Sequence, residues 1–156
     1  MRIGLISDTH GLLRPEALEA LTGVEHILHA GDIGSAEILP QLERIAPVTA
    51  VRGNNDKAPW ASAIAEFEAV KLGALNVYLL HDIADLDLDP AASGFAAVIT
   101  GHSHKPGVDQ KGGALFVNPG SAGPRRFSLP ISVGFLEIEG TSIRASIREL
   151  QLRPAR

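Results

Sequence analysis

Side chains that bind cations collect in this chain just behind short apolar runs. The run Ala97-Val98-Ile99-Thr100 leads into Gly101-His102-Ser103-His104. Alternate residues of an extended segment share a face, so both imidazoles are expected to point one way. Neutral imidazoles converging on one space suit a borderline transition metal. The competing reading is a pair of solvated histidines in a turn, and the rest of the chain decides between them.

The same layout recurs. Ile3 to Ile6 runs into Ser7-Asp8-Thr9-His10-Gly11, and Glu25 to Ala30 into Gly31-Asp32. Pro47 to Val51 runs into Arg52-Gly53-Asn54-Asn55-Asp56, and Leu75 to Leu80 into His81-Asp82. Collected, these ends offer Asp8, His10, Asp32, Asn54, His81, His102 and His104. Seven oxygen and nitrogen donors exceed what one tetrahedral ion needs. They suit two five- or six-coordinate divalent ions completed by water, with Asp32, central in the order, as the bridging carboxylate. Two ions ~3.5–4 Å apart can hold a hydroxide between them and stabilise the attacking and leaving oxygens of a displacement. Their charge of about +4, against about −2 from Asp8 and Asp32, leaves a pocket that attracts anions. His26, at the far end of its run, is not expected to bind metal, and His29 reads as a packed or ligand-supporting group. Asp85, Asp87 and Asp89 lack the glycine and distal glutamate of a calcium loop and read as solvated.

Positioning these ends takes a particular order of elements. A helix opens at Leu13-Arg14-Pro15-Glu16, with Ala17, Leu18 and Leu21 as its apolar stripe. A second carries Ile38, Leu42 and Ile45 on one face, with Ser35 as N-cap and Pro40 in its first turn or at a kink. Strands separated by helices give a parallel sheet, whose functional groups gather beyond the strands' carboxyl ends. Hairpins follow. Glu66–Leu72 pairs with Leu75–Leu80 around Gly73-Ala74, with Phe67 and Ala69 on the dry face and Glu66 and Glu68 on the wet one. A short helix is expected over Pro90–Phe95. Val108–Lys111 pairs with Ala114–Val117 around Gly112-Gly113, and Asn118-Pro119-Gly120-Ser121 is a turn. Ile131–Ile138 and Ile143–Leu152 are amphipathic strands. Their apolar phase slips at Phe135/Leu136 and at Ile147/Leu150, as a bulge or a change of sheet contact would produce. Arg144 and Arg148 read as solvated.

The length of 156 residues fits a single domain, residues 1–156. A net charge of −4 gives no general pull toward nucleic acid or anionic membrane, and 4% aromatic residues give no stacking platform for a strand. Long nucleic acid is therefore not an expected partner, while a small phosphodiester, cyclic or dinucleotide, stays open. The absence of cysteine excludes thiolate metal sites and disulfides. Met1 leads straight into a strand with no signal-peptide layout, and no apolar stretch is long enough to span a bilayer, so a cytoplasmic location is expected. Edge-strand pairing into a homo-oligomer is open.

Taken in order, Asp8-Thr9-His10, Gly31-Asp32, Gly53-Asn54-Asn55-Asp56, His81 and Gly101-His102-Ser103-His104 resemble the signature of the calcineurin-like metallophosphoesterases. Asn118-Pro119-Gly120-Ser121 with Pro124-Arg125 resembles the small bacterial and archaeal phosphodiesterase branch. The resemblance implies an α/β fold, a four-layer αββα sandwich of two mixed sheets flanked by helices. It implies Asp8, His10 and His104 on a first metal, Asn54, His81 and His102 on a second, and Asp32 bridging. The ions are usually manganese, with nickel, iron or zinc in some members. The implied reaction is phosphodiester hydrolysis by the bridging hydroxide, with Asp32, Asn54 and Asn55 as catalytic groups and Asn54, Asn55 and Arg125 contacting substrate. The alternative is a non-catalytic scaffold like the small retromer subunit, which resembles this fold. Three departures stand out. Ile33-Gly34-Ser35-Ala36 replaces an Asp-containing block. Asn55 stands where many members have a leaving-group histidine. Asp82 follows His81 where glycine is usual, either supporting that imidazole or facing solvent.

Overall fold

The computed structural model describes residues Met1–Pro154. The strands are β1 (Arg2–Ile6), β2 (His26–His29), β3 (Val48–Ala50), β4 (Phe67–Leu72), β5 (Leu75–Leu80), β6 (Phe95–Ile99), β7 (Gly107–Lys111), β8 (Ala114–Asn118), β9 (Ser132–Glu139) and β10 (Ser142–Glu149). Helix α1 (Pro15–Ala20) follows β1, and α2 (Ile38–Glu43) follows β2. One five-stranded sheet has the order β10-β9-β1-β2-β3, the other β4-β5-β6-β8-β7. Both are mixed. The pairs β1·β2, β2·β3, β5·β6 and β6·β8 are parallel, and the rest antiparallel.

Two apolar layers hold this arrangement. Between the sheets lie Ile3, Leu5, Leu28, Val77, Leu79, Ile99 and Leu136. On the outer side of the first sheet, α1 and α2 pack Ala17, Leu21, Ile38 and Leu42 against Ile6, Ile27 and Phe135. Trp60 packs against that same helical layer. The outer side of the second sheet is covered by the β5–β6 crossover. It contains one 3₁₀ turn, Ile83–Asp85, and turns up to Gly94. Leu80 and Val98 are fully buried outside the inter-sheet layer, which locates that cover. The sandwich is thus α/β with two mixed sheets, and its helical layers are thin. Among the described residues, no helix is long and apolar enough to cross a membrane.

Several local expectations need correcting. Pro90–Phe95 is a turn closed by Phe95 N–H to Pro90 O (2.8 Å), and β6 begins at Phe95. Ser35 does not cap α2, since the N-cap is Glu37 and no side chain caps that end. Pro40 falls in the first turn, where its missing N–H costs nothing. On β4 the faces are inverted: Val70 and Leu72 are buried, while Phe67 is 42% exposed. The hairpin register, Leu72↔Leu75, fixes that parity. The phase slip in β9 is not a bulge, because its pairing with β10 is unbroken from Ser142↔Glu139 to Glu149↔Ser132. β9 is instead buried on both sides, with Phe135 in the helical layer and Leu136 between the sheets. Leu150 lies past β10 and crosses to the helical layer, the change of contact behind the second slip. Arg148 and Arg2 lie over the Phe135 ring at 4.9 and 4.0 Å.

Candidate metal centre

The carboxyl ends of β1, β2, β3, β5 and β6 meet along one rim. Backbone bonds continue past the strands and zip the first two loops together: Asp8 N–H to Gly31 O (3.0 Å), His10 N–H to Asp32 O (2.9 Å) and Gly11 N–H to Ile33 O (2.8 Å). Gly101 N–H reaches His81 O (2.9 Å), which joins the second sheet's loops in the same way.

Six non-glycine residues have a left-handed backbone among the described residues. Five of them are expected donors: Asp8 (φ 56°), His10 (46°), Asp32 (54°), His102 (70°) and His104 (62°). Such positions cost of order 1–3 kcal/mol each and persist only where surroundings impose them. They also overturn the extended-segment argument for His102 and His104. The chain turns at each histidine, and the rings diverge into two groups. Asp8, His10 and His104 have donor atoms within 4.8 Å of one another, as do Asp32, His81 and His102.

Contacts fix which atoms are left to bind something. Asp8 Oδ2 accepts from Ser7 Oγ (2.7 Å) and His102 N–H (3.1 Å), while Oδ1 is buried with no hydrogen-bond partner. Around that oxygen stand Nε2 of His104 (3.4 Å), His10 (3.8 Å) and His81 (3.9 Å). His81 Nδ1 lies 2.7 Å from Ala30 O, which assigns the proton to Nδ1 and leaves the Nε2 lone pair free. That Nε2 is 3.2 Å from Asp32 Oδ2 but outside hydrogen-bond geometry. His10 and His104 face each other Nε2 to Nε2 at 3.4 Å. A free His81 lone pair, two imidazole nitrogens in contact and a bare carboxylate oxygen are groups that a cation between them satisfies. The donor set therefore fits divalent metal ions.

The local charges agree. Burial weighs most on Asp8 and raises its carboxyl, with Ser7, His81 and His104 working against it. Burial also raises Asp32, but His81, the Asn55 N–H and His10 outweigh it and hold the carboxyl down at about 2. At His81 burial pushes down, and Asp32, Asp8 and Ala30 O outweigh it, so the imidazole is raised. Burial and the Arg126 charge pull His104 down against Asp8.

His29 is wholly buried and keeps its own hydrogen bonds. Gly31 N–H donates to Nδ1 (3.1 Å), so Nε2 carries the proton toward Thr9 Oγ1 (3.0 Å), whose hydrogen goes to Ile33 O (2.8 Å). Burial, helped by the His81 charge, pushes His29 down to about 3. The unfolded chain takes up this proton near the ordinary value of 6.5, and the folded chain only near 3. Between these limits the unfolded state holds more protons. Stability of the metal-stripped chain should therefore fall as pH drops from 6.5 toward 3, and be insensitive to His29 above 6.5. Urea unfolding at pH 7 and 4.5 checks this: His29→Leu should be less stable at pH 7 and lose less than the wild type on acidification. His26 is bonded to Thr49 Oγ1 (2.8 Å).

Other residues fall differently from expectation. Asn54 is exposed on the rim, in a cavity of about 500 Å³ that it shares with His81 and His102. Asn55, expected to face a phosphate oxygen, donates N–H and Nδ2 to Asp32 Oδ1 (3.0 Å) and Oδ2 (3.1 Å). Arg125 donates to Leu129 O (3.1 Å) within its own loop, and it is the neighbouring Arg126 whose charge is felt at His104. Asp82 caps the 3₁₀ turn through Ala84 N–H (3.0 Å), and its Oδ2 lies 3.6 Å from Nε2 of His102, so it faces that imidazole rather than His81. The sequence reading gave no role to Asp56. Its buried carboxylate accepts from Ile33 N–H (3.1 Å), Gly34 N–H (3.1 Å) and Gly53 N–H (2.8 Å), which locks the Asp32 and Asn54 loops together. Asn118 similarly braces the histidine loop, donating to Gly101 O and Ser103 Oγ, both at 3.0 Å. A polar residue closing an apolar run was the only signal for either.

Comparison with known proteins adds a family. A family model for the calcineurin-like phosphoesterase superfamily domain matches residues 1–141. A probable metallophosphoesterase of Methanothermobacter thermautotrophicus is 38% identical, over 94% of this chain and 91% of its own length. The phosphodiesterase YfcE of Escherichia coli is 26% identical, over 93% and 92%. Among solved structures, an archaeal phosphodiesterase superposes with a TM-score of 0.78 at 26% identity, covering 95% of this chain and all of the other. Vps29 of Entamoeba histolytica in complex with Zn2+ superposes with a TM-score of 0.73 at 25% identity, covering 96% and 99%.

Proposed function

Because this chain belongs to the calcineurin-like phosphoesterase superfamily, we propose that it is a metal-dependent phosphodiesterase with two cation sites on one rim. Asp8, His10 and His104 would hold the first cation, Asn54, His81 and His102 the second, with Asp32 between them. Two divalent ions there, manganese first with nickel, iron and zinc as alternatives, would supply Lewis acidity and a hydroxide nucleophile at neutral pH.

The observation that carries the reading is Asp8 Oδ1, buried, without a hydrogen bond, and facing three imidazole nitrogens at 3.4–3.9 Å. The chain's own residues do the positioning. Ser7 and the His102 N–H fix Asp8 so that one oxygen is presented. Ala30 O sets the His81 tautomer. Asn55 orients the Asp32 carboxylate through two bonds and stabilises its charge. The preference for diesters draws on the YfcE and archaeal relatives, both described as phosphodiesterases.

Asn55, not a histidine, follows Asn54 in the sequence, and its amide is engaged by Asp32. Protonation of the leaving oxygen then falls to water or to another group, so good leaving groups should react best. With metal-stripped protein reloaded with Mn2+, a series of aryl phosphodiesters should be turned over. Rates should fall steeply as leaving-group pKa rises. A flat plot would reveal an acid in the site, and no metal-dependent turnover would overturn the reading. The scaffold alternative draws on the likeness to Vps29. The Vps29 structure also holds Zn2+, so metal binding alone does not separate the two readings, and metal-dependent turnover does.

A further inference from the structure

The cavity beside His81 and His102 extends outward to a wall that is not part of the donor set. That wall contains Phe67, with Glu66, Arg52, Asp82 and Asp85 around it. The register Phe67↔Leu80 places Phe67 on the edge strand of the sheet, opposite the residue that precedes His81. Phe67 is 42% exposed; Phe127 is more exposed, at 88%, but it does not line this cavity. The ring is held in place: it stacks on Tyr78 (centroids 6.3 Å apart, planes 14° apart), and Tyr78 tilts onto Phe95 (5.0 Å). A fixed, half-open ring on the wall of a reaction cavity is a stacking surface. The charges around it are one-sided. Arg52 is already bonded to Glu66 at 3.2 Å, Asp82 Oδ2 lies 3.6 Å from His102 Nε2, and Asp85 has no ion-pair partner among the described residues. A second anionic group on the substrate would be repelled there.

Resting on the phosphodiesterase reading, we propose that Phe67 is a specificity-determining residue that stacks one ester group of the substrate. The substrate class is then a phosphodiester bearing a planar, uncharged ring, such as an aryl group or a nucleobase, and no further anionic group on that side.

The test reads binding apart from turnover. Calorimetry on the Mn2+-loaded protein compares diphenyl phosphate, dimethyl phosphate and phenyl 4-carboxyphenyl phosphate. Wild type should bind diphenyl phosphate about tenfold or more tighter than dimethyl phosphate, as a stacking contact provides. Phe67→Ala should shrink that preference to less than about threefold while leaving dimethyl phosphate affinity within about twofold. Phe67→Leu, which keeps apolar bulk on β4, should fall between. The carboxylated ring should bind more weakly than the plain one, and Asp85→Asn should restore part of the difference. An undiminished ring preference in both Phe67 variants, or equal binding of the carboxylated ring, overturns the proposal. Turnover of 4-nitrophenyl methyl phosphate, which lacks the second ring, is followed separately. Its failure would count against the phosphodiesterase reading alone.

Discussion

Replacing Asp32 by asparagine is expected to lower Mn2+-dependent turnover of an aryl phosphodiester by at least about a thousandfold, about 4 kcal/mol of barrier. The shape is kept and the charge is lost. Asp32 is the carboxylate nearest both groups, with Oδ2 at 3.2 Å from His81 Nε2 and 3.6 Å from His10 Nε2. An amide there removes one of the two negative charges that the cations need. It also sets one NH2 against another, because Asn55 donates to both Asp32 oxygens. The variant should still fold, since the apolar layers do not include this side chain. Circular dichroism and a steady-state assay on metal-reloaded protein check it. Loss of less than tenfold would mean that Asp32 does not join the two groups.

Gly53→Ala should damage the site nearly as much from a residue that binds nothing. A Cβ at Gly53 would overlap Asp32 Oδ1 and the Asp32 backbone nitrogen, and would lie 2.8 Å from its Cγ. Backbone cannot yield as a side-chain tip can, so the two loops must part. That pulls Gly53 N–H off Asp56 and moves both Asn54 and Asp32. A displacement near 1 Å in a positioned site costs about a hundredfold in rate, and overpacking costs about 1–3 kcal/mol of stability. The expected result is a folded, less stable chain with turnover down about a hundredfold. Gly53 is not among the glycines with positive φ, so backbone strain does not enter there. Gly23→Ala, at φ 92° with nothing within 4 Å of the added Cβ, brings strain without a clash and should leave turnover unchanged. Unchanged activity in Gly53→Ala would contradict the tight contact between these loops.

Asp8, His10, Asp32, His81, His102 and His104, which the structure gathers, were legible because each is a metal-binding residue type placed where an apolar run stops, and because parallel strands bring such ends to one rim. Their division into two groups followed from the family resemblance and not from strand geometry. Extended alternation suggested that His102 and His104 share a face, whereas left-handed turns send them to different groups. Aspartate and histidine are among the non-glycine types that enter positive φ most readily, but residue type alone does not say which of them will. The faces of β4 were misread because Phe67 and Ala69 look like the dry side. The hairpin register decides parity, and here it turns a phenylalanine outward. β9 looked slipped because it is covered on both sides, a property of its place in the sheet order. Asp56 was missed because its partners are backbone N–H groups, which carry no sequence signal, and Asn118 because it bonds a carbonyl and a serine hydroxyl that only the fold brings near. Asp82 could be singled out as unusual, but only coordinates reveal which histidine it faces.

The central claim is that two donor groups on one rim each hold a divalent cation. Calorimetric titration of the metal-stripped chain with Mn2+ tests it most directly, using wild type, His104→Ala and His102→Ala. Wild type should take up two ions per chain, and each variant should lose tight binding of one while keeping the other. Failure of the wild type to bind two ions, or two ions bound undiminished in both variants, would contradict it.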